Sequence, residues 1–177
     1  MGLNDPSIIR VSTEADASVL ASIYQESLDL KDSCMAVETS TQEFLDMMHK
    51  FHDREILLVL EQDEHIKGWG VVKRYSDRPG YRVACETSIY LRRKSTGQGY
   101  GGLLQAELMT RARAFGYHHV VTKIWTSNEG SIAFHRKFGF RVVGVQNEVG
   151  FMDGQWRDVT IMQCILDDVP PHLPNLA

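Results

Sequence analysis

The sequence predicts an α/β chain of the α+β type, with a mixed central sheet and helices on both faces. Two observations carry that expectation. Runs with strand alternation and stripes of helical period succeed one another in the order β-α-α-β-β-β-α-β-α-β-β. The 177 residues, 43% hydrophobic and 24% charged, have ordinary globular composition and suit one domain, expected over 1–168, with a proline-rich tail at 169–177.

Residues 8–11 form a short first strand. Thr13-x-x-Asp16 resembles a capping box, and behind it Leu20, Ile23, Tyr24, Ser27 and Leu28 recur at helical spacing. Thr41 is the expected cap of a second helix, with Phe44, Leu45, Met47, Met48 and Phe51 on its buried side. Residues 56–60 are a continuous apolar strand, and Asp63-Glu64 turns it into a strand over 65–74. A polar loop at 76–80 leads to a strand over 82–91. There Val83, Cys85, Thr87, Ile89 and Leu91 share one face, and Glu86, Ser88 and Tyr90 share the other. After a glycine turn, Leu104, Leu108, Ala112 and Phe115 form the stripe of a helix that Gly116 ends. A strand over 118–125, a short helix over 130–138 stopped by Gly139, and closing strands over 141–145 and 157–166 complete the order.

Composition narrows the function classes. A net charge of −4 gives no electrostatic case for nucleic acid or an anionic membrane. No apolar run approaches the roughly 20 residues that span a bilayer, and Met1-Gly2-Leu3-Asn4-Asp5-Pro6 lacks a basic-then-apolar leader pattern. Cys34, Cys85 and Cys164 have no metal-ligand spacing and cannot all pair, so a reducing cytoplasm is expected. His49-x-x-His52 lacks a third ligand and reads as a solvated or packed pair.

The most informative stretch is Thr87-Ser88-Ile89-Tyr90-Leu91-Arg92-Arg93-Lys94-Ser95-Thr96-Gly97-Gln98-Gly99-Tyr100-Gly101-Gly102. A strand runs through a basic turn into glycines that open a helix. This places unpaired backbone N–H groups and the positive end of a helix dipole around one anion, with Arg92, Arg93 and Lys94 adding mobile charge. Gly97-x-Gly99-x-x-Gly102 formally satisfies a dinucleotide fingerprint, but the next strand carries no acidic residue, its one charge being Lys123. No Gly-Lys-Ser/Thr follows, so a P-loop is excluded. The pyrophosphate of coenzyme A is the third candidate, with its thiol arm running back along the strand.

Residues 83–166 resemble the GCN5-related N-acetyltransferase (GNAT) superfamily. Thr96-Gly97-Gln98-Gly99-Tyr100-Gly101 is similar to its Gln/Arg-x-x-Gly-x-Gly/Ala pyrophosphate motif, with Thr96 in the leading position. Asn128 to Phe140 is similar to its N-x-x-A/S-x-x-x-Y-x-x-x-G-F block, with His135 in place of the tyrosine. Glu86 to Leu91, Asn128 with Ser131 and His135, and Val149 to Asp158 further resemble the phosphinothricin/methionine sulfoximine acetyltransferase branch. Residues 38–54 lack the branch's tryptophan, and Ser76 stands where an arginine is common.

The resemblance implies a mixed, mostly antiparallel sheet, acetyl-CoA as co-substrate, a small-molecule amine as acceptor and a homodimer. Gly97, Gln98, Gly99, Tyr100, Gly101 and Gly102, with Thr96, would hold the pyrophosphate. The backbone of Ile89 and Leu91 would meet the pantetheine amides, and an N–H near Tyr90 or Leu91, often at a bulge, would meet the thioester oxygen. Asn128 and Ser131 would assist, Asn128 being equally fit to cap the next helix.

Acetyl transfer needs a proton acceptor for the amine and a proton for the departing thiolate. Glu86, a charge mid-strand opposite an apolar face, is the candidate acceptor, acting through water; a solvated carboxylate or a partner of Arg82 is the plainer reading. His135 is the candidate proton donor to the thiolate, or a second base, or a packed surface histidine. Arg78 or Arg82 would hold an acceptor carboxylate, with Thr87 and Ser88 adding hydrogen bonds. Trp156 and Asp158 read as a packed ring and a loop anchor. No cysteine lies in the motif, so a direct ternary reaction is expected. The competing class is a non-catalytic acyl-CoA-binding or sensing module.

Overall fold

The computed structural model describes residues 7–30, 32–33 and 40–172. Cys34 and the end of the predicted tail, 173–177, lie outside the described residues. A seven-stranded sheet runs in the order β1-β2-β3-β4-β5-β7-β6. Its strands are β1 (Ile8–Val11), β2 (Ile56–Gln62), β3 (His65–Arg74), β4 (Ala84–Leu91), β5 (His119–Trp125), β6 (Arg141–Met152) and β7 (Gln155–Ile165). Every neighbouring pair is antiparallel except β4 and β5. The helices are α1 (Ala17–Asp29), α2 (Thr41–His49), α3 (Tyr100–Ala114) and α4 (Glu129–Arg136).

Alternation along the strands divides the core. Leu57 and Val59 of β2 and Trp69 and Val71 of β3 pack with Leu20, Ile23, Tyr24 and Phe44 of α1 and α2. Leu58, Leu60, Val72, Cys85, Val120 and Met162 face Leu104, Leu108 and Ala112 of α3. The unbroken apolar run of β2 is therefore buried on both faces. Leu108 is fully buried, and its truncation to alanine would cost about 2–5 kcal/mol.

Local signals account for the boundaries. Ser40, rather than Thr41, caps α2: its hydroxyl accepts from the Glu43 N–H, and Glu43 returns a bond to the Ser40 N–H at 2.8 Å. Asp63 and Glu64 both take positive φ in the β2–β3 turn, and Asp153-Gly154 does the same between β6 and β7. The Asp-Gly turn joins closing strands that run longer than predicted.

The Thr13–Asp16 box is present and does more than cap. Arg10 of β1 grips Asp16 with two bonds, at 2.8 and 2.9 Å, while the Thr13 N–H donates to the same carboxylate at 2.7 Å. The Arg10 hydrogen bonds, opposed by burial, hold the Asp16 carboxyl down at about 2. A depressed carboxyl contributes stability above its unfolded value, about 3.9, and loses it as pH falls through the folded value. Replacing Asp16 with Asn is expected to lower the urea midpoint at neutral pH and to flatten its decline between pH ~4 and ~2. Parallel midpoint-versus-pH curves for the two proteins would refute this.

Candidate functional site

β4 and β5 pair over three positions only, Ala84↔His119, Cys85↔Val120 and Glu86↔Val121. Beyond Glu86 the two strands part, although β4 stays in register with β3 to Leu91 and β5 with β7 to Trp125. The β3–β4 register has no shift, so the splay arises without the expected bulge.

Backbone direction in the open part of β4 follows from its ends. The Ala84 carbonyl accepts from Tyr75, and the Arg92 N–H donates to Lys67; both lie toward β3. The Val83 carbonyl points the other way, accepting from His118 and His119. Alternation then sends the backbone groups of Ser88 and Tyr90 to β3 and those of Thr87, Ile89 and Leu91 to the opening. Ile89 and Leu91 thus present main-chain donors and acceptors as a strand edge does, whereas the Tyr90 N–H is committed to β3.

At the end of this edge lies the glycine turn that opens α3. Gly97 and Gly99 have φ of 76° and 88°, and a Cβ on either would meet nothing within 4 Å. The first bond of α3 runs from the Leu103 N–H to the Gly99 carbonyl. The backbone N–H groups of Gly97 through Gly102 have no acceptor among the described residues. The side chains of Thr96 and Gln98 fold back to the carbonyls of Arg93 and Lys94, at 2.8 and 2.7 Å, and stiffen the turn. The Tyr100 hydroxyl donates to Gln62. Arg92 is not mobile: Glu26 of α1 takes its guanidinium at 2.7 Å and the Arg93 N–H at 2.8 Å. That clamp anchors the loop and leaves Arg93 and Lys94 as exposed charges beside it.

Beneath the splay is a cavity of ≈ 490 Å³. Tyr24, Phe44, Trp69 and Tyr90 form an aromatic wall, with Phe44 edge-on to Trp69 at 5.2 Å and Tyr24 edge-on to Tyr90 at 4.9 Å. Glu86, Ser88, Ile89, Ser131 and His135 reach the same cavity. So do Lys73, Lys123 and Met47, which sequence reasoning did not place there. Strand alternation puts Lys73 on the face of Val71 and Trp69, two and four positions earlier, but only the pairing of β3 with β4 brings that face to the cavity.

Glu86 does not pair with Arg82. Its Oε2 accepts from the Lys123 ammonium at 2.7 Å. His135 is buried, and its Nδ1 lies 2.8 Å from the Ser131 carbonyl. A carbonyl only accepts, so Nδ1 carries the proton and Nε2 holds a lone pair. Nε2 is buried without a hydrogen-bond partner. Burial lowers the imidazole pKa, so the ring is neutral at pH 7. In this state His135 accepts a proton at Nε2 and has none there to give.

Three predicted substrate contacts are not brought to the cavity. Arg78 is exposed at the start of a short turn, Pro79–Tyr81. Arg82 donates to the carbonyls of His172 and Pro79, at 2.8 and 3.0 Å. Thr87 is buried on the α3 side, because strand alternation turns it away from Glu86 and Ser88. Asn128 caps α4, its Oδ1 accepting from the Ser131 N–H at 3.0 Å. Asp158 anchors the β6 bulge through the Glu148 N–H at 2.8 Å. Trp156 is not a packed ring; it is 61% exposed and leans on Phe151.

A split parallel pair beside a helix N-terminus leaves backbone donors and acceptors unpaired along one edge inside the protein. The acetyltransferase (GNAT) domain matches residues 9–161, and the chain belongs to that family. It is 36% identical over 112 residues to an L-methionine sulfoximine/L-methionine sulfone acetyltransferase of Pseudomonas paraeruginosa, covering 63% of this chain and 65% of that protein. The chain thus spans a little under two thirds of that relative's length. A protein of the same description from Salmonella typhimurium is 28% identical over 164 residues, covering 90% of this chain and 95% of the relative. The crystal structure of a Sinorhizobium meliloti phosphinothricin acetyltransferase in complex with acetyl-CoA is similar, with a TM-score of 0.86 and 27% identity. It covers 97% of this chain and 94% of the other.

Gly99→Ala tests the glycine turn. An L side chain at this φ costs about 1–2 kcal/mol, a modest fall in thermal midpoint. The strained turn is expected to weaken CoA binding about tenfold or more in calorimetry, since several N–H groups must aim at one anion. Unchanged CoA affinity would remove the glycine turn from cofactor binding.

Proposed function

We propose that this protein transfers an acetyl group from acetyl-CoA to the amine of a small amino acid or amino-acid analogue. The observation that carries this reading is the open backbone edge of β4 ending on the unpaired N–H groups of Gly97–Gly102, with Glu86 and His135 in the cavity beneath it. The names of the relatives, whose substrates include methionine sulfoximine, methionine sulfone and phosphinothricin, support the acceptor class.

In this reading the pyrophosphate of acetyl-CoA lies on the α3 N-terminus, and its pantetheine arm bonds the main chain of Ile89 and Leu91. Asn128 and Ser131 border the arm. The Leu91 N–H, which faces the opening, stabilises the thioester oxygen as the carbon becomes tetrahedral. Glu86 takes a proton from the acceptor ammonium through a water. The freed amine attacks the thioester carbon, forming the C–N bond. His135 Nε2 receives a proton from the now cationic nitrogen. As the C–S bond breaks, the same imidazolium delivers that proton to the thiolate. The histidine therefore shuttles a proton and ends each cycle neutral, in keeping with its tautomer. Cys85 is fully buried and its thiol is pushed far up by burial, which supports direct transfer over an acetyl-cysteine route.

A homodimer belongs to the same proposal. Val143, Val149 and Phe151 on the edge strand β6, and Trp156 on its neighbour β7, are each more than half exposed. An apolar edge of this kind is a pairing surface. A cytoplasmic setting fits the thiol of Cys85, and among the described residues no helix is long and apolar enough to cross a membrane.

Free-thiol release with a panel of amino acids, methionine sulfoximine, methionine sulfone, phosphinothricin and polyamines tests the activity. Thiol above background with at least one amine is expected; none with any amine would favour a non-catalytic acyl-CoA module. Glu86→Gln is expected to lower kcat by about 10²-fold or more with CoA affinity retained. Because burial lowers the His135 pKa, loss of its acceptor function on acidification should set in only below pH ~6.5. Phe151→Asp is expected to shift the protein from dimer to monomer in light scattering; a wild-type monomer would overturn that part.

A further inference from the structure

The geometry points to Lys123 and Lys73 as the receptor for the acceptor's carboxylate, and to the Glu86–Lys123 ion pair as a slot that a zwitterionic α-amino acid opens. This rests on the reading that the acceptor amine meets Glu86. Among the described residues no arginine lines the cavity: Arg82 is bonded to His172 and Pro79, and Arg78 is exposed on its turn. Two lysines bracket Glu86 instead. Lys73 is its register partner on β3, and Lys123 lies on β5, two residues beyond Val121, the partner of Glu86. Lys123 donates to Glu86 Oε2 at 2.7 Å. Lys73 forms no ion pair among the described residues.

The paired side chains are 24% (Glu86) and 41% (Lys123) exposed, so water reaches both and the pair is weakly held. While it persists, the ammonium occupies the oxygen that the mechanism needs. A simple amine must compete with Lys123 for Glu86. An α-amino acid need not: its ammonium takes Glu86 while its carboxylate takes Lys123. Inserting the zwitterion replaces the Glu86–Lys123 ion pair with two in alternating order. Lys73 adds a second cation on the other side of Glu86. The same slot that admits the acceptor thereby uncovers the proton acceptor, and it selects amines that bear a neighbouring carboxylate.

The test compares L-methionine sulfone with its carboxamide, which keeps the side chain and the α-amine but loses the negative charge. Thiol release gives kcat/KM for each, and calorimetry on the CoA-loaded protein gives each affinity. Wild type is expected to favour the acid in both. Lys123→Met is expected to reduce the acid-to-amide ratio about tenfold or more, the scale of a hydrogen bond to a charged group. The rate with the amide should rise, because Glu86 is released. Lys123→Arg should restore the preference, and Lys73→Met should weaken acid binding without raising the amide rate. An acid-to-amide ratio in Lys123→Met equal to that of wild type overturns the inference, as does failure of the acid to bind wild type. Carboxylate-dependent binding that is lost in Lys123→Met, with no thiol released from either compound, would uphold the slot while removing the acetyl-transfer reading.

Discussion

The parting of β4 from β5 after Glu86 is the constraint on which the rest of the site depends. A parallel pair kept to its full length would satisfy the main chain of Ile89 and Leu91 within the sheet. Ended at the third position, it leaves those groups as an edge inside the protein, where unpaired backbone is costly and a strand-like ligand is the natural partner. The flanking pairs hold the gap open. β3 keeps β4 in register, β7 does the same for β5, and the two core clusters fix both sides of the sheet.

The same division of the sheet separates two tasks. The α3 face supplies the rigid base, with Leu104, Leu108 and Ala112 fully buried, so that the helix N-terminus is held at a set distance from β4. The opposite face lines the cavity. Glu86, Ser88 and Tyr90 alternate onto it from β4, and Trp69, Val71 and Lys73 come from β3. α1 and α2 close it with Tyr24, Phe44 and Met47. Glu26 joins the tasks by fastening the loop after β4 to α1, so the glycine turn and the aromatic wall are positioned by one helix.

His135 illustrates how local geometry limits chemistry. On sequence it was a substitute for a proton-donating tyrosine. Its bond to the Ser131 carbonyl, one helical turn back, settles the tautomer, and burial keeps the ring neutral. A residue that must first accept before it can donate fits a step in which the amine's proton becomes the thiol's.

Much of this was readable from residues alone. The β-α-α-β-β-β-α-β-α-β-β order, the stripe of α3, the positive-φ glycines and the Thr13–Asp16 box are properties of neighbouring positions, which backbone sterics and short-range hydrogen bonds determine. Glu86 was conspicuous for the same reason, being a charge in an alternating strand. What residue order could not settle was pairing across the chain. The partner of Glu86 is Lys123, 37 positions away, not the nearby Arg82, whose guanidinium is drawn to His172. Lys73 enters the cavity only because β3 lies beside β4. Side-chain partners in a sheet are chosen by register and by which strands are neighbours. Those are decided by the burial of two apolar faces at once, so they belong to the tertiary structure and not to any stretch of sequence.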